Sequence, residues 1–455
     1  MSTIDATNLE IKLAQKINNT TAPLELLALG TALRQLQNGA VFVVQQFSQL
    51  PAASTNLGQL YFVIDDRIVY VSTPDIAGTA SWRLLASDSI SQLFTWGSNS
   101  AAQLGDGTVI CRSSPGTTQG GGTTWCQVSA GGCANCAHTA AVKTDGTAWT
   151  WGCNSFGQLG DPSVTTLRGS PGTVSGGGTT WCQISAGMWH TAAVKIDGTA
   201  WTWGLATSGQ LGDNTTLNKN SPVAVVHASG NCNWCQISAG GSHTAAVKLD
   251  GTTWTWGLGT SGQLGNGLNF SRSSPVLTSG GATTWCQIDA GGNHTAAVKC
   301  NGSAWTWGAN NCGQLGDNTI TAKNVPVITA GGGYDWCQIS AGCCHTAAVD
   351  INGCVWTWGA GDNGRLGSNS GTRASPGPVA GGGTTWRQVS AGSWNTAAIK
   401  TDGTAWMWGL GGSGQMGDNT VVTRSSPVSV VGAVTPWCQI SAGFCHIAAI
   451  ASKTF

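Results

Sequence analysis

Charge is scarce in this chain. Only 9% of its 455 residues are Asp, Glu, Lys or Arg, and 20 basic side chains balance 20 acidic ones. Residues 1–90 carry five Lys/Arg against seven Asp/Glu, so neither part of the chain is biased. A nucleic acid or an anionic lipid surface selects a basic stripe; none is present, which excludes nucleic acid as a partner. Long apolar runs are missing as well. No stretch approaches the ~20 residues of a membrane span, so no membrane insertion is expected. Met1 to Asn18 lacks a basic segment followed by an apolar core, the layout of a secretory signal, and synthesis in a cytoplasm is expected. Catalytic motifs are equally thin. There is no nucleophile elbow, no His-Glu-x-x-His and no isolated carboxylate pair. The G-x-G-x-x-G matches at Gly257 to Gly262 and Gly409 to Gly414 are followed by polar loop where a dinucleotide site needs a helix N-terminus. Neither an enzyme nor a cofactor is expected.

What the chain has instead is glycine, tryptophan and cysteine: 67, 23 and 17 residues. Glycine is at roughly twice its usual share. With so much tryptophan, that points to a β-fold with many tight turns and not to disorder. Trp-Gly recurs at Trp96, Trp151, Trp203, Trp256, Trp307, Trp358 and Trp408. A period near fifty residues marks a propeller or solenoid. Residues 181–222 give the unit. Trp181 to Gly187 (W-C-Q-I-S-A-G) and His190 to Lys195 (H-T-A-A-V-K) read as two strands. Asp197-Gly198 reads as a hairpin turn of type I′, and Thr199 to Gly204 (T-A-W-T-W-G) as a third strand. A loop then leads to G-Q-L-G-D (Gly209 to Asp213), and Ser221-Pro222 lies in a fourth strand, at an edge because of its proline. Four antiparallel strands make one propeller blade. Twenty of the tryptophans occupy framework positions that would fill the space between blades.

The ends of the repeat complement one another. Leu93 to Gly97 supplies a third strand with no first or second before it, and Trp437 to Ile450 supplies a first and second with nothing after. The C-terminal strands are therefore expected to pair with the N-terminal ones in the seventh blade, removing sheet edges open to aggregation. The fold class is all-β: a seven-bladed propeller at 91–455, after a helical anchor at 1–40 and a small β-module or linker at 41–90.

The repeated S-A-G-x-x-H-T-A-A-V-K-x-D-G-T-x-W-T-W-G and G-Q-L-G-D, spanning 93–455, resemble the regulator of chromosome condensation repeat family, in its bacterial and viral form. The resemblance implies a seven-bladed propeller. It leaves function open, because such propellers serve as exchange factors, enzyme inhibitors, photoreceptors and adhesion modules.

Positions that vary inside a fixed frame are free of the folding constraint. The pair before the repeat histidine is Met188/Trp189, Gly241/Ser242, Gly292/Asn293, Cys343/Cys344, Ser393/Trp394 and Phe444/Cys445, and Gly132 to Ala137 replaces it in the remaining unit. These turns and the loops before G-Q-L-G-D should share one face of the disc, with the Asp-Gly hairpins on the other. Trp189 and Trp394, on short turns with no obvious core to fill, suggest a partner-binding face; the alternative is that they plug the central channel. Met188, Ser393, Phe444, Cys343, Cys344, Gly292 and Asn293 complete the candidate set.

The other repeated groups read as architecture. His138, His190, His243, His294, His345 and His446 sit one per blade, with Asn395 in the seventh place, which favours a hydrogen bond to backbone over catalysis or metal. Cys126, Cys182, Cys235, Cys286, Cys337 and Cys438 follow a framework Trp and read as small buried apolar residues. Cys133-x-x-Cys136 offers half a zinc site or a local disulfide, and no second C-x-x-C completes a metal site. The thiols of Cys343, Cys344 and Cys445 fall at equivalent turns where they could face solvent.

In the first ninety residues, 7–18 and the stretch from Pro23 to Gly39 read as helices. Leu26, Leu29, Leu33 and Leu36 follow a 3-4-3 spacing that suits oligomerisation, or packing on the chain's own β-module. Asp65-Asp66 marks a hairpin between Leu60–Ile64 and Ile68–Val71, and a strand at Trp82 closes the module. The run from Leu50 to Leu85 resembles small modules of bacteriophage tail-fibre and virion proteins. The expectation is a non-enzymatic virion structural or adhesion protein, a homo-oligomer. It would be anchored to other virion proteins through 1–90 and would present the propeller to a host-surface protein or glycan. The alternative is a bacterial protein-interaction module, such as an enzyme inhibitor or regulatory scaffold.

Overall fold

The computed structural model describes residues 91–452, apart from 134–135, 227–232, 281–282, 332–334, 370, 382 and 433–435, and before them the strands of one small sheet between residues 41 and 86. In that sheet Val41–Val44 runs parallel to Leu60–Val63. Leu60–Val63 pairs antiparallel with Ile68–Pro74, Val63 opposite Ile68; Asp65-Asp66 lies outside the described residues. Ala80–Ala86, with Trp82, closes it. The leucine spacing at Leu26, Leu29, Leu33 and Leu36, and the helices expected at 1–40, lie outside the described residues.

Seven four-stranded antiparallel sheets follow. The first six blades begin at Trp125, Trp181, Trp234, Trp285, Trp336 and Trp386. Each runs from an inner strand (Trp181–Ala186 in the second blade) through His190–Lys195 and Ala200–Gly204 to an outer strand, Lys219–Ala224. Proline sits on the outermost strand, where no ladder bond is lost. The seventh blade is composite: Trp437–Ala442 and His446–Ser452 from the C-terminal end pair with Ser91–Gly97 and Arg112–Thr117, His446 lying opposite Gly97 and Ser452 opposite Ser91. The ring is thus closed by main-chain hydrogen bonds within a blade.

The hairpins differ from expectation. Gly198 is at φ +77°, its N–H donates to Lys195 O, and Lys195 N–H donates to Thr199 O. That is a three-residue loop, a type I turn followed by a glycine bulge, and not a two-residue I′ turn. Only the glycine has positive φ there. The Asp197 carboxylate instead accepts from the Thr199 N–H and hydroxyl, and that hydroxyl accepts the Trp201 indole N–H at 2.9 Å.

The core lies between blades. Ala140, Val142 and Ala148 of the first blade pack on Trp181, Ile184, Ala186 and Trp203 of the second, and the pattern repeats around the disc. Within a blade the indoles meet edge to face, Trp181 against Trp203 at 6.0 Å and Trp201 at 6.3 Å. Lys195 is held over Trp181 and Trp201 at 4.7 and 4.5 Å, so a charge near the core is met by ring faces. The second glycine of G-Q-L-G lets the next blade's tryptophan approach: a Cβ on Gly316, at φ +67°, would stand 2.6 Å from the Trp358 indole nitrogen.

Candidate functional site

Three rings of polar contacts join the blades, and they absorb most of the residues that look chemical in the sequence. The first caps the inner strands. An inner strand leaves alternate N–H groups without a ladder partner, and buried N–H groups must find one. The Gln of W-C-Q-I-S-A supplies it to the next blade: Gln127 Oε1 accepts Ile184 N–H at 2.7 Å, Gln183 accepts Ile237 N–H, and the series closes with Gln439 on Val128. Two residues on, Ser129 Oγ accepts Ala186 N–H at 2.9 Å and Ser441 closes the ring on Ala130.

The second ring carries the histidines. His138 Nε2 lies 3.0 Å from Thr191 Oγ1 of the next blade, and His190, His243, His294, His345 and His446 reach Thr244, Thr295, Thr346, Thr396 and Thr139 in the same way. The partner is a neighbouring hydroxyl and not the backbone that sequence reasoning favoured. Each hydroxyl spends its proton on a loop carbonyl, Thr191 on Gln158 O at 2.8 Å, so the imidazole must be the donor. All six are therefore neutral Nε2–H tautomers, and none is exposed to solvent. Burial pushes His138, His190, His294 and His446 down to about 3 and His243 to about 4, and it holds His345 well below the usual range. In the seventh place both partners change together. Asn395 stands where histidine would, and Ile447 where threonine would; the buried Asn395 amide has no hydrogen-bond partner.

The third ring uses the same loop carbonyls. Gln158 O also accepts the Trp203 indole at 2.9 Å, and Trp96 reaches Gln415 O across the closure. The aspartate of G-Q-L-G-D caps its own turn and pairs with the first residue of an outer strand, as Asp418 does with Arg424 at 2.6 Å.

One inner-strand position breaks the rule. Asp289 replaces a ring serine; its carboxylate accepts from Ser238 and Ser340 and from Ala341 N–H at 2.8 Å. Burial raises its pKa against those bonds. It is the single carboxylate among the seven equivalent positions on the channel wall. Cavities of 130 and 150 Å³ lie along the axis.

The variable turns do share one face. The carbonyl of Trp189 accepts Leu205 N–H, and those of Asn293, Cys344 and Trp394 accept Ala309, Ala360 and Leu410, the residues following Trp-Gly. The first member of each pair faces the axis: Met188, Gly292, Cys343, Ser393 and Phe444 line the channel mouth. The second faces away from it. Asn293 is exposed, Ser393 and Gly292 are buried, and Met188, Trp189, Cys343, Cys344, Trp394 and Phe444 are half-buried. The two tryptophans plug no channel, since neither lines it. Nor are they freely exposed. Trp189 packs edge-on to Phe156 at 5.3 Å, and Trp394 lies edge-on to Phe444 at 6.4 Å beneath the Arg365 guanidinium at 4.3 Å.

The cysteines divide differently from expectation. Cys136 bonds to Cys153, 17 residues on, and not to Cys133. Cys286, at a framework position, bonds to Cys300 and is not simply an apolar filler. Burial pushes Cys182, Cys235 and Cys337 up to about 12, as suits inert thiols. Cys438 is exposed. Among the described residues no group of three or more His, Cys, Asp or Glu is arranged to hold a metal ion, and no helix is long and apolar enough to cross a membrane.

Residues 92–449 match the RCC1-like domain. The chain belongs to the RCC1-like family. This RCC1-like chain is 32% identical over 286 residues to the ultraviolet-B receptor UVR8 of Arabidopsis thaliana, covering 62% of this chain and 64% of the receptor. It is 33% identical over 201 residues to the probable E3 ubiquitin-protein ligase HERC3 of Homo sapiens, covering 43% of this chain and 19% of the ligase. It therefore spans less than two thirds of either relative. Human WBSCR16 superposes with a TM-score of 0.72 at 21% identity, over 80% of this chain and all of that one. Prp20p of Saccharomyces cerevisiae superposes with a TM-score of 0.69 at 20% identity, over 81% and 93%. At those identities the two structures speak for the fold alone. Nothing among these plant, human and yeast proteins supports a bacterial or viral type, or a tail-fibre resemblance for the N-terminal region.

Proposed function

We propose that this RCC1-like propeller is a protein-interaction module whose binding surface is the face bearing the variable turns. One observation carries this reading. The repeat spends its framework Gln, Ser, His, Thr and Trp side chains on joining blades. The side chains left over, among them Met188, Trp189, Asn293, Trp394 and Phe444, belong to turns on one face, with Met188 and Phe444 at the channel mouth. Half-buried aromatic and methionine side chains held on short turns are the chemistry of interface hot spots. Prp20p binds Gsp1p and histones, so a propeller of this fold can be a platform for protein partners. Ligase activity is not carried over from HERC3, of which this chain spans 19%. A role in a bacteriophage particle rests on the sequence resemblance of Leu50 to Leu85 alone, and the relatives favour the interaction alternative.

The test captures partners on the immobilised full chain, identifies them by mass spectrometry, and measures each affinity against W189A, W394A and a control variant on the hairpin face, D197N. Hot-spot loss of about 2 kcal/mol per tryptophan weakens binding about 30-fold. Both tryptophan variants should keep their cooperative thermal unfolding while affinity falls and the control binds as before. Equal affinity for all four proteins would refute this placement of the site.

A further inference from the structure

Arg365 is the one break at the glutamine of the G-Q-L-G series: the six other blades have Gln103, Gln158, Gln210, Gln263, Gln314 and Gln415 at this place. Its guanidinium is buried, with the residue 1% exposed. It donates to Ser393 O at 3.0 Å and Asp362 O at 3.0 Å and lies over Trp394. Its one carboxylate partner among the described residues, Asp362, stands 3.4 Å away and is 73% exposed, so water screens it and the buried cation is only partly compensated.

Three thiols collect beside that cation. Cys343 and Cys344 occupy the variable turn of the fifth blade, their sulfurs 3.7 Å apart. Cys312, in the loop of the fourth blade, lies near enough to Cys344 for the two thiols to perturb one another. All three are half-buried, and Cys343 lines the channel mouth, where small molecules can reach it. No other blade has two adjacent cysteines at this turn. A cation and a donated hydrogen bond are what turn a thiol into a thiolate nucleophile.

We propose that Cys343 is a covalent-modification site for low-molecular-weight disulfides, activated by Cys344 and Arg365. The Cys343 thiolate, its proton given to solvent, attacks one sulfur of a small disulfide such as oxidised glutathione. A new S–S bond forms to Cys343 as the small disulfide's own S–S bond breaks, and its other half leaves as a thiolate that takes a proton from solvent. Cys343 is oxidised and the leaving half is reduced, so no further oxidant is needed. The adduct persists, because Cys344 is badly placed to displace it. Adjacent Cα atoms stand about 3.8 Å apart across a trans peptide, short of the ~4.4 Å at which ordinary disulfides begin. The hydrogen bond from Cys344, and then the Arg365 charge, bring the Cys343 thiol down to about 7, against its burial. The same bond holds Cys344 up in its protonated form.

The full chain is treated with oxidised glutathione at pH 7 and digested without reductant. The adduct should map to Cys343 ahead of the exposed Cys111 and Cys438, and should be absent from C343S. Alkylation of Cys343 by iodoacetamide should reach half its maximal rate near pH 7. In R365Q, which restores the residue used by the other blades, the half-maximal pH should move up towards the ordinary thiol value of about 8.5. An adduct on Cys111 or Cys438 with Cys343 bare, a wild-type midpoint already near the ordinary value, or a midpoint unmoved in folded R365Q would each overturn the proposal. The wild-type profile decides the matter even if R365Q does not fold. The mapping needs no protein partner, so its failure leaves the interaction reading intact.

Discussion

Acid should unfold this propeller over a narrow pH range, and the histidine ring sets where. Six imidazoles are buried as neutral donors, with proton affinities pushed down to about 3 or 4 where a value is resolved. In the unfolded chain each titrates near 6.5, roughly the ordinary value. Below that pH the unfolded state takes up protons that the folded state refuses. The ring's contribution is therefore complete above about pH 6.5 and is lost as pH falls towards the folded values. Each histidine loses about 1.4 kcal/mol per pH unit between those limits, and six lose about 8 kcal/mol per unit. Net stabilities of domains are about 5–15 kcal/mol, so the transition is expected near pH 5. The carboxylates held low by turn hydrogen bonds and basic partners, Asp106, Asp161, Asp402 and Asp418, act below their ordinary value of about 3.9 and leave this window to histidine. Urea unfolding followed by tryptophan fluorescence from pH 7.5 to 4.5 gives stability against pH, and its slope counts protons. The expected count near pH 5 is between five and six. His190→Asn, which copies the residue already at position 395, should lower it by one. A slope of fewer than about two protons between pH 5 and 6 would show that the ring does not exclude protons as the geometry requires.

Two further outcomes follow from the same contacts. Asn395→His and Ile447→Thr each leave a buried group half-partnered. Together they should rebuild the missing contact, with the hydroxyl introduced at position 447 placed to donate to Gln415 O, and a double-mutant cycle by urea denaturation should show favourable coupling of about 1 kcal/mol. Purely additive effects would mean that the other His–Thr contacts are incidental. Gly316→Ala forces a methyl to within 2.6 Å of the Trp358 indole at positive φ. It should cost about 2 kcal/mol or more, read as a lowered denaturation midpoint, whereas the same change at Gly176, where a Cβ meets nothing within 4 Å, isolates the cost of positive φ.

The candidate face was legible because the chain can be compared with itself: where a repeated frame is fixed, departures such as Trp189, Trp394 and Cys343-Cys344 stand out. Arg365 and Asp289 carry the same signal, a lone exception at a repeated position, and the same comparison would have found both. Cys312 carried none. It sits in a loop of variable sequence, and its approach to Cys344 exists only because two blades are adjacent. The Cys136–Cys153 bond was hidden for a related reason: the nearer Cys133 satisfies a familiar spacing, while the strand pairing brings Cys153 to the thiol.

The period of Trp-Gly, the complementary ends and the placement of proline determined the seven blades, their strand order and the composite seventh. Those are matters of local pattern, and each repeat states them again. Which groups donate to which was decided only in the ring. The Gln and Ser of an inner strand and the His and Thr of the strand beside it find their partners in neighbouring units, so the sequence could mark them as framework without showing what they hold. Closing seven blades around an axis brings each histidine to its neighbour's threonine and each glutamine to its neighbour's bare edge, and sets a buried arginine beside three thiols.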